Sequence, residues 1–179
     1  MAKGSFKFFW TTHKWVGIII ALVVLNTSAT GFLLLIKKKS AWIQPIEQRG
    51  SAANQLDVNF DDILQAARNA AGAGIETWDD IDRLDVRPGK GVVKVQSLSG
   101  YEVQIDLATG DVLQSAYRRS DLIEQIHDGS FFGEWAHGYL MPVTAFSLVF
   151  LVGSGLFLFF EPKLRKRRRR KKERLAAGN

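Results

Sequence analysis

Two apolar stretches decide the fold: WVGIIIALVVLNTSATGFLLLI, residues 15–36, and GYLMPVTAFSLVFLVGSGLFLFF, residues 138–160. They contain 22 and 23 residues, and neither contains a charged side chain. A helix needs about 20 such residues to cross a hydrocarbon core about 30 Å thick, so both stretches are predicted to span a membrane. A cleaved signal peptide is the alternative for the first stretch. Its apolar run is longer than signal peptides use and continues beyond the small residues, which favours an uncleaved anchor.

Basic residues near the ends of the two stretches predict their orientation. Ten of the 24 Lys and Arg lie within residues 163–174, and clusters of this kind remain in the cytoplasm. With two crossings, the N-terminus and its three lysines lie on the same side. The run Lys37–Lys39 opposes this orientation but is outnumbered. The sequence therefore predicts a two-pass protein of the bacterial inner membrane, with both termini cytoplasmic and residues 37–137 extracytoplasmic.

Acidic residues are concentrated in the middle of the chain. Of the 18 Asp and Glu, 16 lie between residues 41 and 136, so the net charge of +6 combines an acidic middle with a basic tail. A nucleic-acid-binding domain does not divide its charge in this way, and no nucleic acid is expected as a partner. The basic tail is expected to contact anionic lipids. The absence of cysteine excludes disulfides, thiolate metal sites and covalently attached c-type haem.

The segment between the two stretches has the pattern of a small soluble domain. Asn59 is a predicted N-cap for an amphipathic helix that Gly72 closes. Alternating apolar and polar residues then predict strands near Leu84, Val93 and Val103 and over Val112–Tyr117, separated by glycine-containing turns. The predicted fold is an α-helical membrane protein with two transmembrane helices and a small α+β domain, in which one helix packs on an antiparallel meander.

These patterns divide the chain into seven segments. They are a cytoplasmic N-terminus (1–14), transmembrane helix 1 (15–36), a linker (37–55), an extracytoplasmic domain (56–119), a return helix or re-entry segment (120–137), transmembrane helix 2 (138–160) and a basic cytoplasmic tail (161–179).

Four motifs, in order along the chain, resemble the PepSY-associated transmembrane helix family. His13-Lys14-Trp15-Val16-Gly17 is similar to the family's "H-R-W-x-G" start, and Ile126-His127-Asp128-Gly129 with Gly133 resembles its "L-H-x-G-x-x-x-G" element. The run VQIDLATGDV, residues 103–112, is similar to the end of a PepSY domain. Small-residue pairs late in each apolar stretch, Thr30-Gly31 and Ser154-Gly155, complete the set.

The resemblance implies two kinds of role. Larger relatives are inner-membrane ferric-siderophore reductases, which hold b-type haem between histidines of four helices and move electrons outward. Other PepSY domains are inhibitory or regulatory modules. The present chain departs from the reductases in having only two apolar stretches. The resemblance therefore implies haem b as cofactor, with His13 and His127, which lie in the family motifs, as candidate ligands. His137 joins them as a candidate because all three histidines lie at predicted membrane ends.

Spacing along the chain restricts how these histidines are able to share a haem. The iron accepts two axial imidazoles at about 2 Å, whereas about 30 Å of membrane separates His13 from the other two. His127 and His137 are ten residues apart, about 15 Å along a continuous helix. They meet at one iron only if the helix breaks between them, at Gly129 or Gly133. Otherwise the ligands come from a second copy in a homodimer or from a larger complex.

Several alternatives remain open at this point. Histidines beside Trp10, Trp15 and Trp135 also fit simple anchoring at the membrane interface. The sequence has no catalytic nucleophile set and no flavin or nicotinamide fingerprint, so an enzymatic role is limited to that of a reductase component with a separate electron donor. Two other function classes remain. One is a non-enzymatic accessory or regulatory protein whose PepSY domain binds a periplasmic partner, and the other is a structural subunit of a larger membrane complex.

Overall fold

The computed structural model describes residues 3–177, which form two compact units. One unit combines the chain up to Ala29 with the chain from Ile126 onwards, and the other is Thr30–Gln125. The helices and strands are α1 (Lys3–Leu35), α2 (Phe60–Asn69), β1 (Ile81–Arg87), β2 (Val92–Ser97), β3 (Tyr101–Asp106), β4 (Val112–Tyr117), α3 (Arg119–Asp128) and α4 (Met141–Ala177).

In the first unit, α1 and α4 pack against each other in antiparallel directions. The Phe9 and Phe157 rings lie 4.8 Å apart, and Leu151 approaches to 3.9 Å from where a β-carbon at Gly17 would lie. Residues early in α1 therefore face residues late in α4.

Both helices contain windows apolar enough to cross a membrane, with mean hydropathies of 2.3 and 2.2. The outer faces of both helices are exposed, as expected for side chains that contact lipid.

The second unit is a four-stranded antiparallel sheet in the order β1-β2-β3-β4, with α2 on one face. Asn59 caps α2 through a reciprocal capping box with Asp62, which satisfies two backbone donors at the helix start. The core lies between α2 and the sheet, because the apolar residues of both elements face each other. Its central members are Ile63, Leu64 and Ala67 of the helix and Val93, Val95, Val103 and Ile105 of the sheet.

The other face of the sheet is polar and is also buried. Residues 43–52, here named the strap, have no regular secondary structure and lie across it. Backbone amides of the strap donate to the sheet's side chains: Gln48 N to Gln104 Oε1 at 2.7 Å and Ser51 N to Asp106 Oδ2 at 2.7 Å. Gly50 is required where the strap meets the sheet, because a β-carbon there would lie 2.0 Å from the Gly91 carbonyl oxygen. The segment predicted as a linker thus covers this face of the domain.

Glu47 connects the strap to three cations on β1, β2 and the turn between them. Its carboxylate contacts Arg87, Lys90 and Lys94, the last at 3.3 Å. Burial raises the pKa of Glu47, but the hydrogen bond from Lys90 and the positive charges of Lys94 and Arg87 outweigh burial and lower the pKa from 4.5 to about 2.

This lowered pKa predicts that the domain loses stability in acid. A carboxylate with a depressed pKa in the folded state stabilises the protein fully above its unfolded pKa, and this stabilisation is lost as pH falls through the folded value. We expect the thermal midpoint of the full chain in detergent to fall between pH 4.5 and about 2, and to fall less in Glu47→Gln. An equal fall in both proteins would contradict the role of Glu47.

The structure confirms the predicted fold class of two apolar helices and a small α+β domain. The N-cap at Asn59 and the strand Val112–Tyr117 are also confirmed. Helix α2 ends at Asn69, three residues before Gly72, since Ala70 is already extended. Helix α4 continues without interruption through the basic tail to Ala177, which the sequence pattern did not predict.

Candidate functional site

The helical structure is interrupted between α3 and α4 at Gly129 and Gly133, the two glycines singled out in the sequence. Helix α3 ends at Asp128, and Gly129 and Gly133 adopt φ of 82° and 97°, a region that L side chains disfavour. A β-carbon at Gly129 would also lie 3.3 Å from Ala136 and Met141. His127 and His137 are therefore not on one continuous helix, and the geometric condition for their approach is met.

Backbone irregularity continues at His137 itself. Residues Ala136–Leu140 form a π-helical turn that leads into α4. Such turns widen the helix by one residue and occur frequently at functional sites. Here the turn presents the His137 side chain next to the end of α3.

His127 and His137 line the same cavity, which has a volume of about 560 Å³. The cavity lies between α1 and the start of α4, and most of its lining is apolar. Thr27 and Thr144 supply hydroxyl groups, but each donates to the carbonyl of the residue four positions earlier in its own helix. Cofactor pockets are commonly about 300–1,000 Å³ and largely apolar with a few polar groups. The volume and lining suit a flat organic cofactor whose metal takes two ligands from the protein.

Hydrogen bonds fix the same ring nitrogen in both histidines. His127 Nδ1 lies 3.1 Å from the Thr27 carbonyl oxygen, and His137 Nδ1 lies 3.0 Å from the Asp128 carbonyl oxygen. A carbonyl only accepts, so Nδ1 carries a proton in each ring, and Nε2 is then the nitrogen whose lone pair is able to bind a metal. Metal-ligating histidines are typically held in this way by a carbonyl or carboxylate on their second nitrogen.

Asp128 adds a negative charge beside the two rings. Its carboxylate accepts from the Ser130 amide at 2.9 Å and the Ser130 hydroxyl at 2.7 Å, and Oδ2 is 3.7 Å from His137 Nδ1. The Ser130 amide lowers the pKa of Asp128, burial opposes this, and the Ser130 hydroxyl and the two histidines lower it further. Asp128 is therefore ionised at neutral pH and favours a proton on the Nδ1 side of His137.

His13 is not part of this cavity. It contacts Ser154, which lies 17 residues after His137 and so about 25 Å further along a helix. The Ser154 hydroxyl donates to the Phe150 carbonyl at 2.7 Å, so it accepts from His13 Nδ1 at 2.8 Å. This hydrogen bond ties α1 to α4 in their apolar interior, a common role for polar groups between membrane helices.

The two imidazoles on this cavity fit the donor set that a b-type haem takes from a protein. Within residues 3–177, no three His, Cys, Asp or Glu side chains are grouped as metal ligands. A b-type haem brings four nitrogen ligands of its own and takes only two axial ligands from the protein. His127 and His137 provide two imidazoles on one cavity.

Sequence reasoning found both histidines and the break between them, but it missed the parts of the site that are backbone. The carbonyls of Thr27 and Asp128 orient the rings, and backbone acceptors have no signature in a sequence. The short spacing of Gly129, Gly133 and His137 was the only available signal for the π-helical turn.

Comparison with known proteins identifies the family. No curated protein sequence matches the chain. The family model described as the PepSY-associated TM region matches residues 10–177, which include both apolar helices and the domain between them. Because this match covers most of the chain, the protein is a membrane protein that belongs to the PepSY-associated transmembrane family.

Proposed function

We propose that this protein is a b-type haem-binding component of transmembrane electron transfer or of ferric-siderophore reduction outside the cytoplasm. The observation that carries the proposal is that His127 and His137 line one cavity with Nδ1 of each ring bonded to a backbone carbonyl. In this proposal Nε2 of each ring is the iron ligand. Haem bound there would supply one-electron redox chemistry.

The chain's own residues would set the conditions for that chemistry. The carbonyls of Thr27 and Asp128 hold the two rings in one tautomer, so that little reorientation is needed on binding. Most of the cavity lining is apolar, and Asp128 places a negative charge next to His137. A negative charge near an iron ligand stabilises the oxidised form relative to the reduced form. The electrons would come from a separate donor protein.

Difference spectroscopy tests the proposal. Membranes that overproduce the full chain, in cells supplied with a haem precursor, are expected to show b-type absorbance in reduced-minus-oxidised spectra. Membranes from cells that carry the empty vector provide the control. Absence of additional b-type absorbance, with the protein present at normal levels, would refute the proposal.

We also propose that the protein is in the bacterial inner membrane with both termini cytoplasmic and residues 37–137 extracytoplasmic. The antiparallel packing of α1 and α4 supports an even number of crossings. The ten basic residues within 163–174 favour the cytoplasm and contact with anionic lipids there.

Cysteine labelling tests this orientation. Because the chain contains no cysteine, each introduced cysteine is the one site in the protein that the reagent is able to label. Single variants Leu98→Cys, in the β2–β3 turn, and Ala176→Cys, in the tail, are both at exposed positions. In intact spheroplasts, a membrane-impermeant maleimide is expected to label position 98 and not position 176. Inverted vesicles are expected to give the reverse pattern. Labelling of position 176 alone in spheroplasts would invert the proposed topology.

A second candidate function is that of an accessory protein whose PepSY domain binds a periplasmic partner. One specific observation favours it, an exposed aromatic pair bordered by carboxylates on that domain. The two functions are compatible, since the cavity and the aromatic pair lie in different units of the chain. A homodimer also remains a proposal; ligation by two histidines of one chain does not require it.

A further inference from the structure

Two aromatic side chains of the extracytoplasmic domain are exposed next to each other. Phe60, the first residue of α2, is 67% exposed, and Trp78 is 39% exposed in the short 3-10 helix Trp78–Asp80. Their ring centroids lie 6.1 Å apart at an interplanar angle of 73°, an edge-to-face arrangement. We name these two rings the aromatic corner.

The aromatic corner is not part of the domain's core. Helix α2 buries Ile63, Leu64 and Ala67 against the sheet, and Phe60 is not among its buried residues. Isolated exposed apolar residues are ordinary on protein surfaces. A paired phenylalanine and tryptophan is less ordinary, because such rings contribute large energies when a partner covers them.

Carboxylates border the aromatic corner on both sides. Asp61 follows Phe60 and Asp79 follows Trp78 in the chain; both are exposed, and no ion pair within residues 3–177 neutralises either one. The carboxylates of their neighbours Asp62 and Asp80 accept backbone hydrogen bonds at the starts of the two helices.

The cations nearest in sequence are already engaged. Arg68 Nε donates to the Glu76 carbonyl oxygen at 2.5 Å. Arg83 donates to Gln96 at 2.7 Å and lies 3.8 Å from Asp82. The region therefore presents aromatic rings together with uncompensated negative charge.

We propose that the aromatic corner is a docking site for a lysine- or arginine-bearing segment of a protein partner on the same side of the membrane. A guanidinium or ammonium group is attracted to the face of a tryptophan ring and to nearby carboxylates, so both parts of this surface favour the same occupant. The charge complementarity argues for a basic segment over an acidic or purely apolar one. The inference does not depend on haem, since all of its residues lie within Thr30–Gln125.

Fluorescence anisotropy with the full chain in zwitterionic nanodiscs tests the inference. The probe is a fluorescein-labelled arginine-rich peptide, and an uncharged glutamine-rich peptide of the same length is its control. We expect the arginine-rich peptide alone to bind. Trp78→Ser and Phe60→Ser should each weaken binding by about fivefold or more, whereas Trp78→Phe, which retains a ring, should weaken it less than Trp78→Ser.

Matched variants separate the aromatic corner from general electrostatics. The double variant Asp61→Asn/Asp79→Asn should also weaken binding. Leu122→Ser, which removes a side chain that is 39% exposed in α3, should leave binding unchanged. The proposal is overturned if wild type does not bind, if the ring variants bind as wild type does, or if Leu122→Ser weakens binding equally.

Discussion

Replacing either His127 or His137 with alanine is expected to abolish b-type haem absorbance in membranes that contain the full-length protein. Each substitution removes one of the two imidazoles that line the cavity. If these imidazoles hold the haem, loss of either one would weaken haem binding strongly and change the absorbance spectrum of any haem that remains. Reduced-minus-oxidised spectra, normalised to the amount of protein by immunoblotting, measure the effect.

The matched control is His13→Ala, because His13 contacts Ser154 and does not line the cavity. This variant loses a hydrogen bond between α1 and α4, which in membrane proteins contributes about 1 kcal/mol. We expect it to retain the haem signal of the wild type at a modest cost in thermal stability. Loss of the signal in His13→Ala, with retention in His137→Ala, would place the haem at the opposite end of the helices.

Replacing Arg118 with alanine is expected to destabilise the PepSY domain by about 3–5 kcal/mol. Arg118 is 6% exposed, and its guanidinium donates to Glu102 at 2.5 Å and to Asp121 at 2.9 Å. Glu102 is fully buried. Removing the arginine leaves this carboxylate with Lys94, 3.6 Å away, as its remaining cation. Amide hydrogen exchange of β3 in the full chain measures the loss as reduced protection.

Two further variants show whether the buried charge causes this loss. Arg49→Ala removes an exposed arginine and is expected to change stability by less than about 0.5 kcal/mol. The double variant Arg118→Met/Glu102→Leu removes both charges and should be considerably more stable than Arg118→Ala, because no fully buried carboxylate is then left without Arg118; the Asp121 carboxylate is partly exposed to solvent. Equal protection in wild type and Arg118→Ala would show that the ion pair contributes little.

The elements that were predicted correctly have strong local signals. Charge-free runs of 22 and 23 residues specify the membrane helices irrespective of tertiary context. The cap at Asn59 depends on residues only three positions apart. Alternation around Val93 and Val103 places the apolar side chains on the face that contacts α2.

The strap was not predicted because its interactions are distant in sequence and involve its backbone. An antiparallel sheet with one apolar and one polar face is normally expected to have its polar face in water. Here Gln104 and Asp106 on the polar face accept from amides about 55 residues earlier. Any residue type with a backbone N–H is able to donate in this way, so residues 43–52 resemble an ordinary linker in sequence.

The sequence singled out the two histidines and two glycines of the candidate site, but it did not predict the geometry around them. The sequence indicated that the rings of His127 and His137 approach each other only if the helix between them is interrupted at a glycine. The structure has that interruption, and both histidines line one cavity. The cavity itself depends on how α1 packs beside the start of α4. That packing is set by many weak contacts along both helices, such as those of Gly17 and Phe9.

The number of haems bound per chain tests the central claim most directly. Titration of purified full-length protein with haem, followed by absorbance and by the amount of protein, gives this ratio. If His127 and His137 of one chain ligate one iron, the titration saturates at one haem per chain with a low-spin, bis-imidazole spectrum. Saturation at one haem per two chains would assign the ligands to different copies, and the absence of saturable binding would contradict the haem site altogether.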